Sequence, residues 1–278
     1  MVVETKIYPF TNDVIFEAVM QDVRIARKII STILNRKVVK IKNYSTQKDK
    51  KTSKTAHGVR FDLYFEDDNA VYDVEMQNSS AYALGRRCRY YQSMIDSDIL
   101  KVGENYNNLK DSYIIFLCTY DPFGRALPIY TFESVCTSEP TLTMKNTLKL
   151  DTGAKIVICN ALAYNKTSND LHGLLKYLAT HKVTKDNAFI EQIDEAVQFA
   201  NGNEKVRSAA MISDFKLQDA KQEGIAIGME QGIQRGIQRG QENAITQILN
   251  YNKLGLSNEQ KEMIIKEFTL KSKTNNKE

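Results

Sequence analysis

Residues 59–77 read VRFDLYFEDDNAVYDVEMQ, and the rest of the chain takes its sense from them. VRFDLYFE and AVYDVEMQ each alternate apolar and polar side chains with period two, the spacing of a strand with one face turned to a core. Asp67, Asp68 and Asn69 between them are turn formers, so the stretch predicts a β-hairpin. On the first strand Phe61, Leu63 and Phe65 share one face, and Asp62, Tyr64 and Glu66 the other. On the second, Tyr72, Val74 and Met76 face one way and Asp73, Glu75 and Gln77 the opposite way. A slip of one residue would mix the two faces, which restricts the register. A two-residue Asp68-Asn69 turn is the tightest solution, and it sets Asp62 across from Glu75. Directly opposed residues have Cβ atoms roughly 4.5–5.5 Å apart. Two carboxylates that close repel unless a cation or a proton lies between them. A hard divalent ion such as Mg²⁺ meets that demand with oxygen ligands, and Gln77 points into the same space. A solvated strand face with acids paired to Lys or Arg gives the same pattern, and spacing alone does not separate the two readings.

Upstream, apolar residues recur at helical spacing over residues 12–34, after a cap at Thr11 or Asn12. VVKIKNY (residues 38–44) reads as a strand, and the polar, lysine-rich residues 45–57 read as an exposed loop. Downstream, residues 81–100 form a helix, and SYIIFLCTY, LPIYTFESV and KIVICNA supply further strands. After about residue 165 the patterns are helical. The order αβββαβ followed by helices defines an α/β core with a mixed sheet and a C-terminal helical arm. The expected divisions are residues 1–165 as the α/β domain, 166–222 as a helical region, and 223–278 as a glycine-repeat helix with a polar tail.

The chain of 278 residues is long enough for one substantial core and an appendage. Its net charge of +4 permits a polyanionic partner without requiring one. Cys88, Cys118, Cys136 and Cys159 lie far apart with no C-x-x-C pair, which argues against a zinc site or a disulfide framework and for a reducing compartment. No apolar run approaches a membrane span, and the N-terminus lacks an apolar leader, so a soluble cytoplasmic protein without membrane contact is expected. His57, His172 and His181 have no ligand spacing. Walker A, Rossmann, zincin and G-x-S-x-G signatures are absent.

Asp62 followed by Glu75-Met76-Gln77 resembles the D-(x)n-(D/E)-x-K signature of the PD-(D/E)XK nucleases. It is most similar to the bacterial subfamily of putative transposases, or recombination-promoting nucleases, in which E-x-Q often replaces E-x-K. NDVIFEAVM, YDVEMQNSS followed by RRCRYYQSMI, the K-x-G-E-x-Y run at residues 101–106 and the C-terminal glycine repeat extend the similarity over most of the chain. The resemblance implies a restriction-endonuclease-like αβββαβ core and Mg²⁺-dependent (or Mn²⁺-dependent) endonucleolytic cleavage of DNA that promotes recombination in a mobile-element setting. It implies Asp62 and Glu75 as metal ligands, the main-chain carbonyl of Met76 as a further ligand, and Asp13 as a distant or water-mediated contact. Gln77 takes the position of the lysine. An amide orients water or phosphate but brings no positive charge, so activity would lean on the metal or on a cation arriving from elsewhere. The subfamily often has Lys after the Phe of the first helix, where this chain has Glu17.

On the helix after the hairpin, Leu84, Cys88, Tyr91 and Ile95 make an apolar stripe, with Arg86, Arg89, Tyr90 and Ser93 opposite. Arg86, Arg89 and Tyr90 are therefore candidate DNA contacts, and the lysines of residues 48–54 could add sequence-independent attraction. Gly224, Gly228, Gly232, Gly236 and Gly240 recur every four residues. Each costs roughly 1 kcal/mol in a helix relative to Ala. The i, i+4 row leaves a groove for a second helix, so a homo-oligomer through this arm is a candidate partner state. Two other functions share these features: a nuclease fold that binds DNA without cutting it, and an oligomerising interaction protein built on the arm. Metal-dependent nicking separates them from the enzyme.

Overall fold

The computed structural model describes residues 6–38, 41–50, 58–79, 83–138, 148–183, 186–250, 255–264 and 266. Among them six strands form one mixed sheet. β1 (Asn43–Lys50), β2 (Val59–Glu66) and β3 (Ala70–Gln77) run antiparallel in sequence order. β4 (Asp111–Cys118) and β6 (Ala154–Asn160) continue the sheet parallel to β3, and β5 (Ile129–Phe132) closes it antiparallel to β6. The strand order is β1-β2-β3-β4-β6-β5, consistent with a PD-(D/E)XK nuclease fold.

Helices cover both faces. α1 (Asp13–Met20), α2 (Val23–Leu34), α4 (Asn169–Thr180) and α5 (Ala188–Gly202) pack Phe16, Ile29, Ile30, Leu174 and Ile190 against Leu63, Tyr72, Val74 and Ile115. α3 (Leu84–Ile99) seals the other face, with Cys88 and Ile95 against Val71, Ile114 and Phe116. Covered on both sides, β3 and β4 are buried almost throughout, as parallel strands in such folds are. Burying one such apolar side chain contributes about 1.5–3 kcal/mol.

The structure corrects three expectations. The single helix over residues 12–34 is two. The Asn12 side chain accepts from Val14 N and Ile15 N to start α1, and Asp22 accepts from Arg24 N at 2.8 Å to start α2, so the chain turns at Gln21-Asp22. β1 begins at Asn43 and runs to Lys50, leaving Val38, Ile41 and Lys42 outside the strand and putting the polar residues 45–50 into it. It is an edge strand, where lysines and polar residues guard against pairing with other chains. Residues 51–57, with His57 and two of the loop lysines, lie outside the described residues. Finally, β2 does not alternate through Asp62: Val59 and Phe61 join Tyr64 in the α3-side core, whereas Leu63 and Phe65 belong to the opposite one.

The first compact unit runs to Ser213, because α4 and α5 share the main core with the sheet; packing therefore sets its limit well past residue 165. The second unit, residues 214–278, holds most of α6 (Glu204–Asn250), and residues 215–244 of that helix are all exposed. The four cysteines are free thiols, three of them buried. No described helix is long and apolar enough to cross a membrane.

Candidate metal centre

β2 and β3 pair Glu66 with Val71, Phe65 with Tyr72, Tyr64 with Asp73 and Leu63 with Val74. Asp67 N–H donates to Ala70 O at 2.9 Å, closing the turn around Asp68 and Asn69. One step further in this register Asp62 meets Glu75. There side chains replace the ladder: Asp62 N–H donates to Glu75 Oε1 at 3.0 Å, and Met76 N–H donates to Asp62 Oδ2 at 3.1 Å. Each carboxylate thus keeps one backbone amide of the opposite strand satisfied where the strands part, and is held beside the other.

Glu75 is buried and Asp62 half-buried. Burial, first, pushes the Asp62 carboxyl up to about 6; the Met76 amide opposes this and the Asp13 charge adds to it. Burial and then the Asp62 charge push Glu75 up to about 8. Asp73, two residues before Glu75 on the same face, is fully buried and lies beside it. Neither of its carboxylate oxygens meets a hydrogen-bond donor among the described residues. Burial and the Glu75 charge hold it well above the usual carboxylate range. Three acids are therefore packed where their charged forms are disfavoured, a setting that binds protons or a divalent cation.

A cation on α3 stands beside them. Arg87 on α3 donates from Nη1 to Gln77 Oε1 at 2.9 Å, and its Nη2 lies 3.9 Å from Glu75 Oε2. The guanidinium stands over the rings of Phe116 and Tyr91, 5.4 and 5.7 Å from their centroids. Gln77 is fixed at its other end too, since Nε2 donates to Ser79 O at 2.7 Å. Arg87 is thus a direct neighbour of both Glu75 and Gln77. Residues 14–126 match the PD-(D/E)XK nuclease family transposases. The matched segment runs from α1 to the loop after β4 and contains Asp62, Asp73, Glu75, Gln77 and Arg87. No curated protein and no solved structure gives a significant match to the chain.

The other candidate residues are dispersed. Asp13 opens α1, exposed, and its carboxylate accepts from Ser213 Oγ at 2.9 and 2.8 Å; it touches the centre through its charge on Asp62. Arg86 and Arg89 are exposed on α3, whereas Tyr90 is half-buried against the α3-side core. The donor set of Asp62 and Glu75, with the unmatched oxygens of Asp73 behind, fits a hard cation bound through oxygen. Among the described residues no three His, Cys, Asp or Glu side chains form a ready metal cluster.

Asp73 and Arg87 are not among the residues picked out from sequence, yet both carried a signal. Arg87 sits three residues after Leu84 and four before Tyr91, inside the apolar stripe of α3. A cation at a core-facing helical position calls for a buried anion. Asp73's signal is Val71, an apolar residue two positions earlier on its own strand face, which the α3-side core buries.

Proposed function

We propose that this protein hydrolyses phosphodiester bonds in DNA, with a divalent cation of the Mg²⁺ or Mn²⁺ kind held by Asp62 and Glu75. The observation that carries the reading is the reciprocal pair itself: a buried Glu75 and a half-buried Asp62, each bonded to the other strand's backbone and pushed towards protonation by burial, with the Asp62 charge adding to the push on Glu75. A bound cation supplies charge stabilisation at the phosphate and a more acidic water. The Met76 carbonyl is a further oxygen at the same place, and Asp13 acts on the centre from outside through its charge.

Arg87 supplies the fixed positive charge that Gln77 lacks. Stacked on Phe116 and Tyr91 and tied to Gln77, it is preorganised to stabilise a developing phosphate charge without rearrangement. Gln77 positions Arg87 rather than carrying chemistry. Arg86 and Arg89, one turn apart on the exposed side of α3, hold the DNA backbone. Recombination follows from strand breakage by such an enzyme, and mobile elements are the setting that the family description suggests.

The test is nicking of supercoiled plasmid by the full chain with and without Mg²⁺. Wild type nicks only with metal, and Asp62→Ala and Glu75→Ala abolish it; nicking that persists in both variants rejects the centre. Arg87→Gln loses most activity, and Gln77→Lys in that background restores part of it if the site needs only one cation near Glu75. Binding of DNA without any cleavage would leave a nuclease fold acting as a DNA-binding protein, a reading favoured by the fact that both ends of the Gln77 amide are already engaged.

A further inference from the structure

A groove of about 1100 Å³ opens on the opposite side of the sheet from α3, between α2 and the start of α4. Arg24, Arg27, Lys28, Arg36 and Lys37 line it against a single acid, Asp170. The sequence pattern explains this concentration. Val23–Leu34 buries Ile25, Ala26, Ile29, Ile30 and Ile33, so Arg24, Arg27 and Lys28 are left on the outer face, and Arg36 and Lys37 follow directly after the helix. Some of these charges are anchored. Arg36 donates from Nη1 to Tyr113 Oη at 2.8 Å and from Nη2 to Tyr72 Oη, and its guanidinium stacks on both rings. Lys28 pairs with Asp170, and Asp22 holds Arg24 through two side-chain bonds. The 12-residue α4 adds its positive end: Ser168 caps it without a side-chain hydrogen bond, and Ser168 and Asn169 both line the groove.

We infer that this groove binds the phosphodiester backbone of a nucleic acid, at a place separate from the carboxylate centre. Like charges gathered on a concave wall focus a positive potential that a polyanion relieves. Their distribution selects a chain of phosphates over a single one. The cations are strung along α2 and just past it rather than converging on one point. α2 itself spans about 18 Å, the length of roughly five nucleotides at ~3.4 Å each. The choice of nucleic acid among polyanions rests on the nuclease reading of the centre. Glu75 and Gln77 face α3 and the groove lies on the α2 and α4 side, so the strand held here is a second segment of DNA, or a distant part of the one being cut.

The experiment is metal-free binding of the full chain to a labelled duplex over a range of salt. The double variant Arg27→Glu/Lys37→Glu is compared with Lys182→Glu/Lys205→Glu, which changes net charge equally outside the groove lining. The groove variant is expected to lose affinity at least about tenfold more than the control. Its slope of log affinity against log salt is expected to drop by ~1.8, or about 0.9 for each phosphate contact removed. Equal losses in the two variants, or no loss in either, overturn the inference. Direct binding of inorganic phosphate or polyglutamate that the groove variant abolishes, with the duplex slope unchanged, also overturns it and assigns the groove to a single anion or an acidic protein. Mg²⁺-dependent nicking, measured in parallel on wild type, reads the carboxylate centre separately. Its absence removes the nuclease reading and leaves the binding result standing.

Discussion

The β2–β3 hairpin and α6 carry equally regular sequence patterns, and the protein treats them in opposite ways. Every apolar residue of the hairpin is placed against something: Tyr72 stacks between Phe65 and Tyr113, with ring centroids 4.3 and 5.3 Å away, and Phe61 packs on Tyr91. On α6 a Cβ added at Gly224, Gly228, Gly232, Gly236 or Gly240 would meet nothing within 4 Å, and Ile225, Ile233 and Ile237 stand in solvent. Periodicity alone does not make structure rigid. A period-two pattern between two helical layers closes a core, whereas the period-four glycines of α6 lie on an exposed helix face.

The largest effect should separate the two regions by chemistry. Asp62→Ala or Glu75→Ala is expected to lower metal-dependent nicking by at least about a thousandfold, the scale of losing a group that acts directly on the transition state. Deletion of residues 223–243 should leave the rate within about threefold and reduce the mass seen by light scattering if α6 joins two copies. An unchanged mass rejects association through the glycine ridge.

Stability should divide the same way. Phe65→Ala leaves a cavity between the sheet and its helices and is expected to cost about 3–5 kcal/mol, measured by denaturant unfolding. Ile233→Ala on α6 should stay within about 0.5 kcal/mol. A large loss at Ile233 would mean that α6 is covered in solution.

The carboxylates give the hairpin a pH signature that α6 lacks. Asp62 and Glu75 have folded pKa values raised to about 6 and about 8, so the fold holds their protons more tightly than the unfolded chain does. Between the unfolded carboxylate value, about 4, and these folded values, the unfolded state releases protons first and stability falls. Above pH 8 the loss levels off. The metal-free melting temperature should therefore decline from pH 4 to pH 8, Glu75→Gln should flatten the decline, and Mg²⁺ should restore wild type at pH 8 but not the variant. A melting temperature that rises over this range would contradict the buried-pair geometry.

The smallest effect tests the ridge by its sign. Gly232→Ala and Gly236→Ala should each add about 1 kcal/mol of helix stability, read by circular dichroism, if the ridge faces water. If a second helix packs there, the added methyl groups should weaken association instead.

Much of the site's frame was legible in residues 59–77. The opposition of Asp62 and Glu75 followed from a tight turn and from keeping Leu63 and Phe65 on the face of Tyr72 and Val74, a constraint that acts within the hairpin. The departure of Phe61 from that face was not legible, because it depends on Tyr91 of α3 offering a ring to pack on. The same holds for β1, whose polar residues become a strand only because β2 presents an edge to pair with. It holds also for Asp22, a cap that an apolar pattern running through both helices conceals.

The sequence by itself determined the hairpin, its register, the acidic pair and the likeness to the nuclease family, because short-range alternation and turn chemistry are local. Only the tertiary structure decided that Asp73 is buried with no donor among the described residues, that Arg87 reaches Gln77 and Glu75, and that five cations of α2 and its end line one groove. Those facts depend on which helix lies over which face of the sheet. No residue encodes that alone, since burial is a property of the neighbours that packing supplies.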